Sequence, residues 1–336
     1  MSRVCVAMSG GVDSSVAAAL LQRQGVDAAG VMMRLQPHND VTDAARVCEA
    51  LGLPFSVLEA QEPFREAVIA PFIDCYRSGG TPNPCIVCNR RMKFGWMLDW
   101  ALEQGYDAVA TGHYARIERS GDRWALRAGD DPARDQTYFL YSLTQHQLAH
   151  TLFPIGELPK TEVRAIAEEL ALPVAQKKDS QDICFIPDGD YVAYLRSQGV
   201  ELTPGRFVDL EGNVLGHHAG AEGYTLGQRK GLGLACGAPV YVVRKDGADV
   251  VVGPSEALFR TTVRVRDCNW VSLAPPTAPI EAEVALRYTR KRSRATIVPT
   301  EYGAELQFVE PQRAVTPGQA AVFYDGPYVL GGGTIV

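Results

Sequence analysis

Between a short apolar run, Arg3 to Met8, and an alanine- and leucine-rich helical pattern, Ser14 to Gln24, stands Ser9-Gly10-Gly11-Val12-Asp13-Ser14-Ser15. A strand that feeds a helix through paired glycines constrains the fold more than any other feature of the chain. Glycines let backbone approach an anion closely, and the helix start offers unpaired N–H groups and the positive end of its dipole. Ser9, Ser14 and Ser15 add hydroxyl donors. Read locally, Gly-Gly-x-Asp-Ser is also a tight turn with Asp13 capping the helix. No Gly-x-x-x-x-Gly-Lys-Ser/Thr string occurs, which excludes the common phosphate loop with its lysine, and Gly231-Leu232-Gly233 lacks dinucleotide spacing.

The alternation continues, with strands expected at 28–33, 55–58 and 107–111 and helices near 42–51, 63–76 and 90–103. This rhythm is that of an α/β fold in which helices cover a parallel sheet. After a helix near 189–198 the texture changes to short β-branched runs separated by turn clusters such as Glu211-Gly212-Asn213 and Lys245-Asp246-Gly247. We expect an α/β domain over 1–199, a small β-rich domain over 200–257 and a β-barrel or sandwich over 258–336.

With 336 residues and 46% apolar content the chain can bury the cores such an arrangement needs. No run approaches the roughly 20 apolar residues of a membrane-spanning helix, and the N-terminal residues carry no charged-then-apolar export pattern, so the cytoplasm is the expected compartment and no membrane partner is expected. Eight cysteines scattered through a chain of this length do not read as a disulfide scaffold. Cys5 and Cys48, inside apolar-periodic segments, read as core thiols.

Two cysteines stand in polar loops. In Thr81-Pro82-Asn83-Pro84-Cys85-Ile86-Val87-Cys88-Asn89 a proline-stiffened loop runs into a helix expected from Arg90. A thiol just before a helix start and beside Arg90, Arg91 and Lys93 is expected to have a lowered pKa, which makes Cys88 a candidate nucleophile. Cys184, in Asp179-Ser180-Gln181-Asp182-Ile183-Cys184-Phe185-Ile186, is the second. Either alone also reads as a core cysteine; as a pair they suit a sulfur carrier and a thiol that resolves it by thiol–disulfide exchange. The formal net charge of −6 does not advertise nucleic acid, but the run Arg287, Arg290, Lys291, Arg292, Arg294 is a local basic patch that phosphates could use. Taken alone, that run also reads as a solvated charged face.

The loop at Ser9 to Ser14 resembles the pyrophosphate loop of the ATP pyrophosphatase superfamily, whose members split ATP between the α and β phosphates and leave AMP on a substrate oxygen. With Gly30-Val31-Met32-Met33, Thr81 to Pro84, Cys88-Asn89, Thr111-Gly112-His113-Tyr114-Ala115-Arg116, Asp135-Gln136-Thr137-Tyr138-Phe139-Leu140, Ser180 to Phe185, Tyr224 to Gly233, Arg287-Tyr288 and Pro317-Gly318-Gln319, nearly the whole chain is similar to the tRNA-specific 2-thiouridylase family. That resemblance implies a Rossmann-like, adenine-nucleotide-hydrolase-like ATP domain, a small β domain and a C-terminal β-barrel. It implies an ATP-dependent sulfurtransferase that makes 2-thiouridine at the wobble position of tRNA, with Lys, Glu and Gln acceptors as substrates. Cys88 would be the nucleophile and Cys184 the persulfide carrier. Ala7, Met8, Ser9, Gly10, Gly11, Val12, Asp13, Ser14, Met33 and Gly112 would hold ATP, accompanied by Mg²⁺. Asn83, Pro84, Cys85, His113, Arg134, Asp135, Gln136, Arg287, Tyr288 and Gln319 would meet the tRNA. Sulfur would come from a cysteine desulfurase or a sulfur-carrier protein.

One position departs from the family pattern: Cys85 stands where an aspartate is usual, three residues before the nucleophile, so an acid–base role there lacks its carboxylate. The change makes Cys85-x-x-Cys88, and with Cys184 three thiolates that could hold an iron–sulfur cluster with one open iron; no fourth ligand for structural zinc is evident. The alternatives are an iron–sulfur-dependent thiolase, another member of the superfamily that adenylates a different carbonyl, such as an amidating ligase or a lysidine-forming enzyme, and a non-catalytic RNA-binding or electron-transfer protein.

Overall fold

The structure, a computed structural model, describes residues 2–179, 182–186, 189–289 and 291–336. Ser180 and Gln181 of the Cys184 motif, and Arg290 of the basic run, lie outside the described residues.

The first unit is built on β1 (Arg3–Ala7), β2 (Asp27–Arg34), β3 (Phe55–Glu59) and β4 (Ala108–Ala110), followed by a hairpin of β5 (Ala115–Ser120) and β6 (Arg123–Ala128) and by the short β7 (Thr151–Leu152). β3, β2, β1, β4 and β7 form one sheet in that order, all parallel. Both faces of the sheet are covered, as parallel sheets require. Val4 and Val6 of β1 pack with the helix Val12–Arg23, while Cys5 between them packs with Met97, Leu98 and Ala101 on the other side. Burial holds the Cys5 and Cys48 thiols far above their ordinary range, at about 12 and about 11, as suits core residues.

The order 3-2-1-4 places a topological switch between β1 and β4, because the chain winds outward through β2 and β3 and then returns to the other side of β1. Ligands of such sheets bind where the loops after the two central strands diverge. Here those loops are Met8 to Gly11 and Thr111 to His113.

The second unit is a four-stranded sheet of β8 (Gly205–Val208), β9 (Val214–His218), β10 (Tyr241–Asp246) and β11 (Asp249–Gly253), ordered β10-β11-β8-β9. In the third, β12 (Phe259–Trp270), β13 (Ile280–Ala285), β14 (Ser293–Thr300), β15 (Gly303–Arg313), β16 (Ala320–Asp325) and β17 (Tyr328–Ile335) pair in the order β12-β15-β14-β13-β16-β17. A further β12–β17 pairing closes them into a six-stranded barrel, which decides between the barrel and the sandwich. The β5–β6 hairpin of the first unit adds to this sheet: Tyr328 and Val329 of β17 pair with Arg127 and Leu126. The α/β unit and the barrel therefore share a continuous sheet.

The expected helix start at Arg90 is corrected. Helix begins at Pro84 (Pro84–Cys88), passes through a π-helical stretch (Asn89–Trp96) and continues as Met97–Glu103. Proline at a first helical position loses nothing, since its missing N–H would have had no partner there. Among the described residues no helix is long and apolar enough to cross a membrane.

Candidate active site

The helix Val12–Arg23 starts from Gly11 with no side-chain cap, so the N–H groups of its first turn remain open to an anion. Reading Asp13 as the helix cap is therefore corrected. Its Oδ1 instead accepts from the Tyr114 hydroxyl at 2.8 Å and from Lys160 Nζ at 2.6 Å. The loop is closed on itself by hydroxyls: Ser14 Oγ lies 3.1 Å from Ser9 Oγ, and Ser15 Oγ donates to the Gly11 carbonyl at 2.8 Å. Gly10 has φ +67, a left-handed conformation that side chains disfavour.

A cavity of about 440 Å³ opens at the switch point, lined by Ser9, Asp13 and Ser14 from the loop, Met33 from β2, Gly112 and His113 after β4, and Cys184. Ala7, Met8, Gln136 and Lys93 also face it. Gly112 owes its identity to the loop: a Cβ there would fall 2.6 Å from both the Asp13 carbonyl carbon and the Ser14 nitrogen. His113 is buried, with Nδ1 2.6 Å from Thr111 Oγ1. Burial, reinforced by the Lys93 charge, holds its pKa well below 6.5, so it is a neutral imidazole at pH 7.

Cys184 is exposed, with Phe185 beside it packed edge-on against Phe64 and Phe72 at centroid separations of 5.6 and 5.3 Å. Cys88 is buried in the same aromatic cluster. Its thiol is pushed up to about 11 by burial, opposed by Lys93 and assisted by Cys184 and Cys85. The expected lowering is thus corrected: Cys88 is buried, and desolvation outweighs the neighbouring lysine. The mutual influence of the three thiols shows that they are neighbours. Among the described residues no three Cys, His, Asp or Glu side chains are grouped so as to hold a single metal ion.

Most residues expected to meet tRNA have partners within the chain. Asp135 accepts from the Thr137 N–H at 3.0 Å and pairs with Arg292 at 3.4 Å, and Arg134 pairs with Asp179 at 3.1 Å. Gln136 accepts from the Tyr114 N–H at 3.0 Å. Arg287 donates to the Arg313 carbonyl at 3.0 Å, and Gln319 to the Thr81 and Pro82 carbonyls. Pro84 is buried, Asn83 stands just before the helix without a side-chain capping bond, and Cys85 is exposed. Tyr288 is 49% exposed and its ring lies 4.4 Å from that of Phe139. With Tyr138, Tyr324, Asp135 and Arg292 it lines a second cavity of about 380 Å³ at the junction of α/β unit and barrel. The basic run is thus only partly free: Arg292 also donates to the Gly326 carbonyl at 2.7 Å and lies 3.6 Å over the Tyr324 ring.

Sequence reasoning missed Lys160, Asp179 as its partner, and Lys177, whose Nζ donates to the Gly10 carbonyl at 2.9 Å. No local pattern marks a lysine that acts across more than a hundred residues.

Three family profiles match in succession: tRNA methyl transferase HUP domain over residues 2–188, tRNA methyl transferase PRC-barrel domain over 193–254, and Aminomethyltransferase beta-barrel domain over 260–335. The tRNA-specific 2-thiouridylase MnmA of Magnetococcus marinus is 46% identical, over 99% of both chains. That of Geotalea uraniireducens is 47% identical, over 99% of this chain and 94% of its own. Among solved structures, a 4-thiouridine synthetase–RNA complex with bound ATP aligns over 59% of this chain and 50% of its own, with a TM-score of 0.37 at 18% identity. An NMN synthetase from Francisella tularensis aligns over 53% and 66%, with a TM-score of 0.36 at 19% identity. At 46–47% identity over essentially its whole length, this chain belongs to the tRNA-specific 2-thiouridylase MnmA family.

Proposed function

We propose that the chain is an ATP-dependent tRNA-uridine 2-sulfurtransferase that converts the C2 carbonyl of the wobble uridine to a thiocarbonyl. The observation that carries this reading is that Cys184 lines the same cavity as the uncapped helix start and the serines of the glycine loop. A phosphate-binding site alone would serve any adenylating enzyme; a thiol at its rim selects sulfur as what is delivered. It likewise favours sulfur over the methyl group in the profile names.

In the first step the uridine O2 attacks the α-phosphate of ATP. The α–β bridging bond breaks, and pyrophosphate departs into the first-turn N–H groups of Val12–Arg23, whose dipole stabilises the developing charge. The residues fit a Mg²⁺ arriving with the phosphates: Asp13 Oδ2 and the Ser9 and Ser14 hydroxyls would hold it, and it would neutralise charge on the leaving group. In the second step the terminal sulfur of a Cys184 persulfide attacks C2 and AMP leaves with the former O2. Cys88 then attacks the Cys184 sulfur; the S–S bond breaks, its electron pair stays with the sulfur on C2, and a Cys88–Cys184 disulfide remains for an external dithiol to reduce. Because Cys88 is buried with a raised pKa, it becomes competent only when deprotonated in the assembled complex. Neutral His113, beside Gly112 at the cavity, is placed to hydrogen-bond the base without adding charge.

Tyr288 with Arg287 offers an aromatic face and a cation for an unstacked anticodon base, since reaching C2 requires the uridine to leave its stack. Lys, Glu and Gln acceptors, and a cysteine desulfurase or carrier as sulfur source, complete this reading. All eight cysteines are free thiols, in keeping with the reducing cytoplasm, where we place the reaction.

The test is sulfur incorporation into unmodified tRNA with ATP, cysteine and a cysteine desulfurase. Wild-type protein and Cys85→Ser should form 2-thiouridine, and Cys88→Ser and Cys184→Ser should not. Activity that survives both of the latter substitutions would overturn the persulfide route.

A further inference from the structure

Lys160, the first residue of the helix Lys160–Glu169, has a side chain only 9% exposed. Its Nζ lies 2.6 Å from Asp13 Oδ1 and 2.9 Å from Asp179 Oδ1. A buried ammonium is tolerated only when paired and hydrogen-bonded, so both carboxylates are held by the need of this one cation. Asp13 belongs to the phosphate-binding loop. Asp179 ends the described segment that leads, within five positions, to Cys184.

The same segment is tied at other points. Asp179 accepts from Arg164 at 2.7 Å and pairs with Arg134 at 3.1 Å. Lys177 Nζ reaches the Gly10 carbonyl at 2.9 Å and Asp43 at 2.7 Å. On the far side of Cys184, Phe185 is fixed in the aromatic cluster with Phe64 and Phe72. Phe185, next to the exposed thiol, is thus held by ring packing, and Asp179, five positions before it, by charges that run into the nucleotide loop.

We propose that Lys160 is a positioning residue for sulfur transfer: by sharing its ammonium between Asp13 and Asp179 it fixes Asp179, five positions before Cys184, against the nucleotide loop, and so sets where Cys184 meets the bound nucleotide. The bridge touches neither the reacting sulfur nor the base, and its effect falls on where Cys184 stands relative to the α-phosphate. A displacement of about 1 Å at a reacting group can cost roughly a hundredfold in rate. Adenylation, which depends on the loop and the uridine alone, does not need the Asp179 end of the bridge. The inference rests on the reading of Cys184 as the sulfur carrier.

The experiment uses full-length Asp179→Asn, which keeps the shape of the side chain, removes its charge and leaves Lys160–Asp13 in place. Three quantities are measured on it: tRNA-dependent pyrophosphate release, single-turnover sulfur transfer, and the rate of Cys184 alkylation by iodoacetamide followed by peptide mass spectrometry. We expect pyrophosphate release within about threefold of wild type, sulfur transfer slowed tenfold or more, and Cys184 alkylated at least fivefold faster as its segment is released. Asp179→Glu should recover part of the transfer rate, which a loss of general stability would not predict. Lys160→Met severs the same bridge and should show the same release of Cys184. Unchanged Cys184 alkylation in Lys160→Met overturns the proposal whatever the activities, because Asp179→Asn also loosens Arg134 and Arg164 and that readout needs no thiolation. Equal loss of both reaction steps in Asp179→Asn overturns it too. Failure of wild-type protein to thiolate tRNA would instead count against the proposed function.

Discussion

Gln319, on the turn that enters β16 of the barrel, donates from Nε2 to the carbonyl of Thr81 at 2.9 Å and to that of Pro82 at 3.2 Å. One barrel side chain thereby fixes the stretch that leads into the Cys88 helix, and Thr81 answers with its own N–H to the Pro317 carbonyl at 2.8 Å. This part-buried contact ties the barrel to the stretch before the Cys88 helix.

Gln319→Ala should cost about 1–2 kcal/mol of stability, the usual effect of removing a hydrogen-bonded side chain. It should slow single-turnover thiolation more than that loss explains, while leaving ATP binding unchanged. Denaturant melts and rapid-quench assays on the same preparation check both parts.

Gly112→Ala should weaken ATP binding tenfold or more. The added Cβ has no space beside Asp13 and Ser14, and its neighbours there are backbone, which cannot swing aside. Nucleotide titration by calorimetry reads this directly; affinity within twofold of wild type would show that the loop shifts to admit the methyl.

His113 makes stability depend on acidity. Its folded-state pKa lies well below 6.5, so its contribution is complete above that value and is lost as pH falls, when the unfolded chain takes up a proton that the folded chain refuses. The loss approaches about 1.4 kcal/mol per pH unit below the unfolded value. His113→Gln should flatten the urea-midpoint profile between about pH 6.5 and pH 5 relative to wild type.

Thiol reactivity should follow burial. At pH 7 a maleimide should label exposed Cys85 and Cys184 well before Cys88, whose thiol is raised to about 11, with Cys5 and Cys48 last. Peptide mapping over a time course gives the order.

Much of this was legible in the residues. The paired glycines after β1, the alanine- and leucine-rich helix Val12–Arg23 and the alternation through Ala110 express local physics that tertiary structure kept. What escaped had no local signature. The hairpin Ala115–Ala128 carries charged residues along both strands, because β6 joins the barrel only through Tyr328 and Val329. β17 is masked by Gly331-Gly332-Gly333, which the closure demands: a Cβ at Gly331 would fall 2.3 Å from the Asn269 carbonyl oxygen. Pro82 and Pro84 read as loop punctuation, yet Pro84 opens a helix, and the expected Cys88 pKa failed because the burial that raises it is set by tertiary packing. Lys160 could not be read at all, since its meaning lies in Asp13 and Asp179, brought to it by the fold.

The central claim is that the wobble uridine is activated through its own O2 before sulfur arrives. It is tested most directly with tRNA carrying ¹⁸O at C2 of that uridine, turned over once with ATP and persulfide-loaded protein, the AMP then being analysed by mass spectrometry. The account predicts one ¹⁸O in each AMP and one 2-thiouridine per AMP released. Thiolated tRNA accompanied by unlabelled AMP would contradict it.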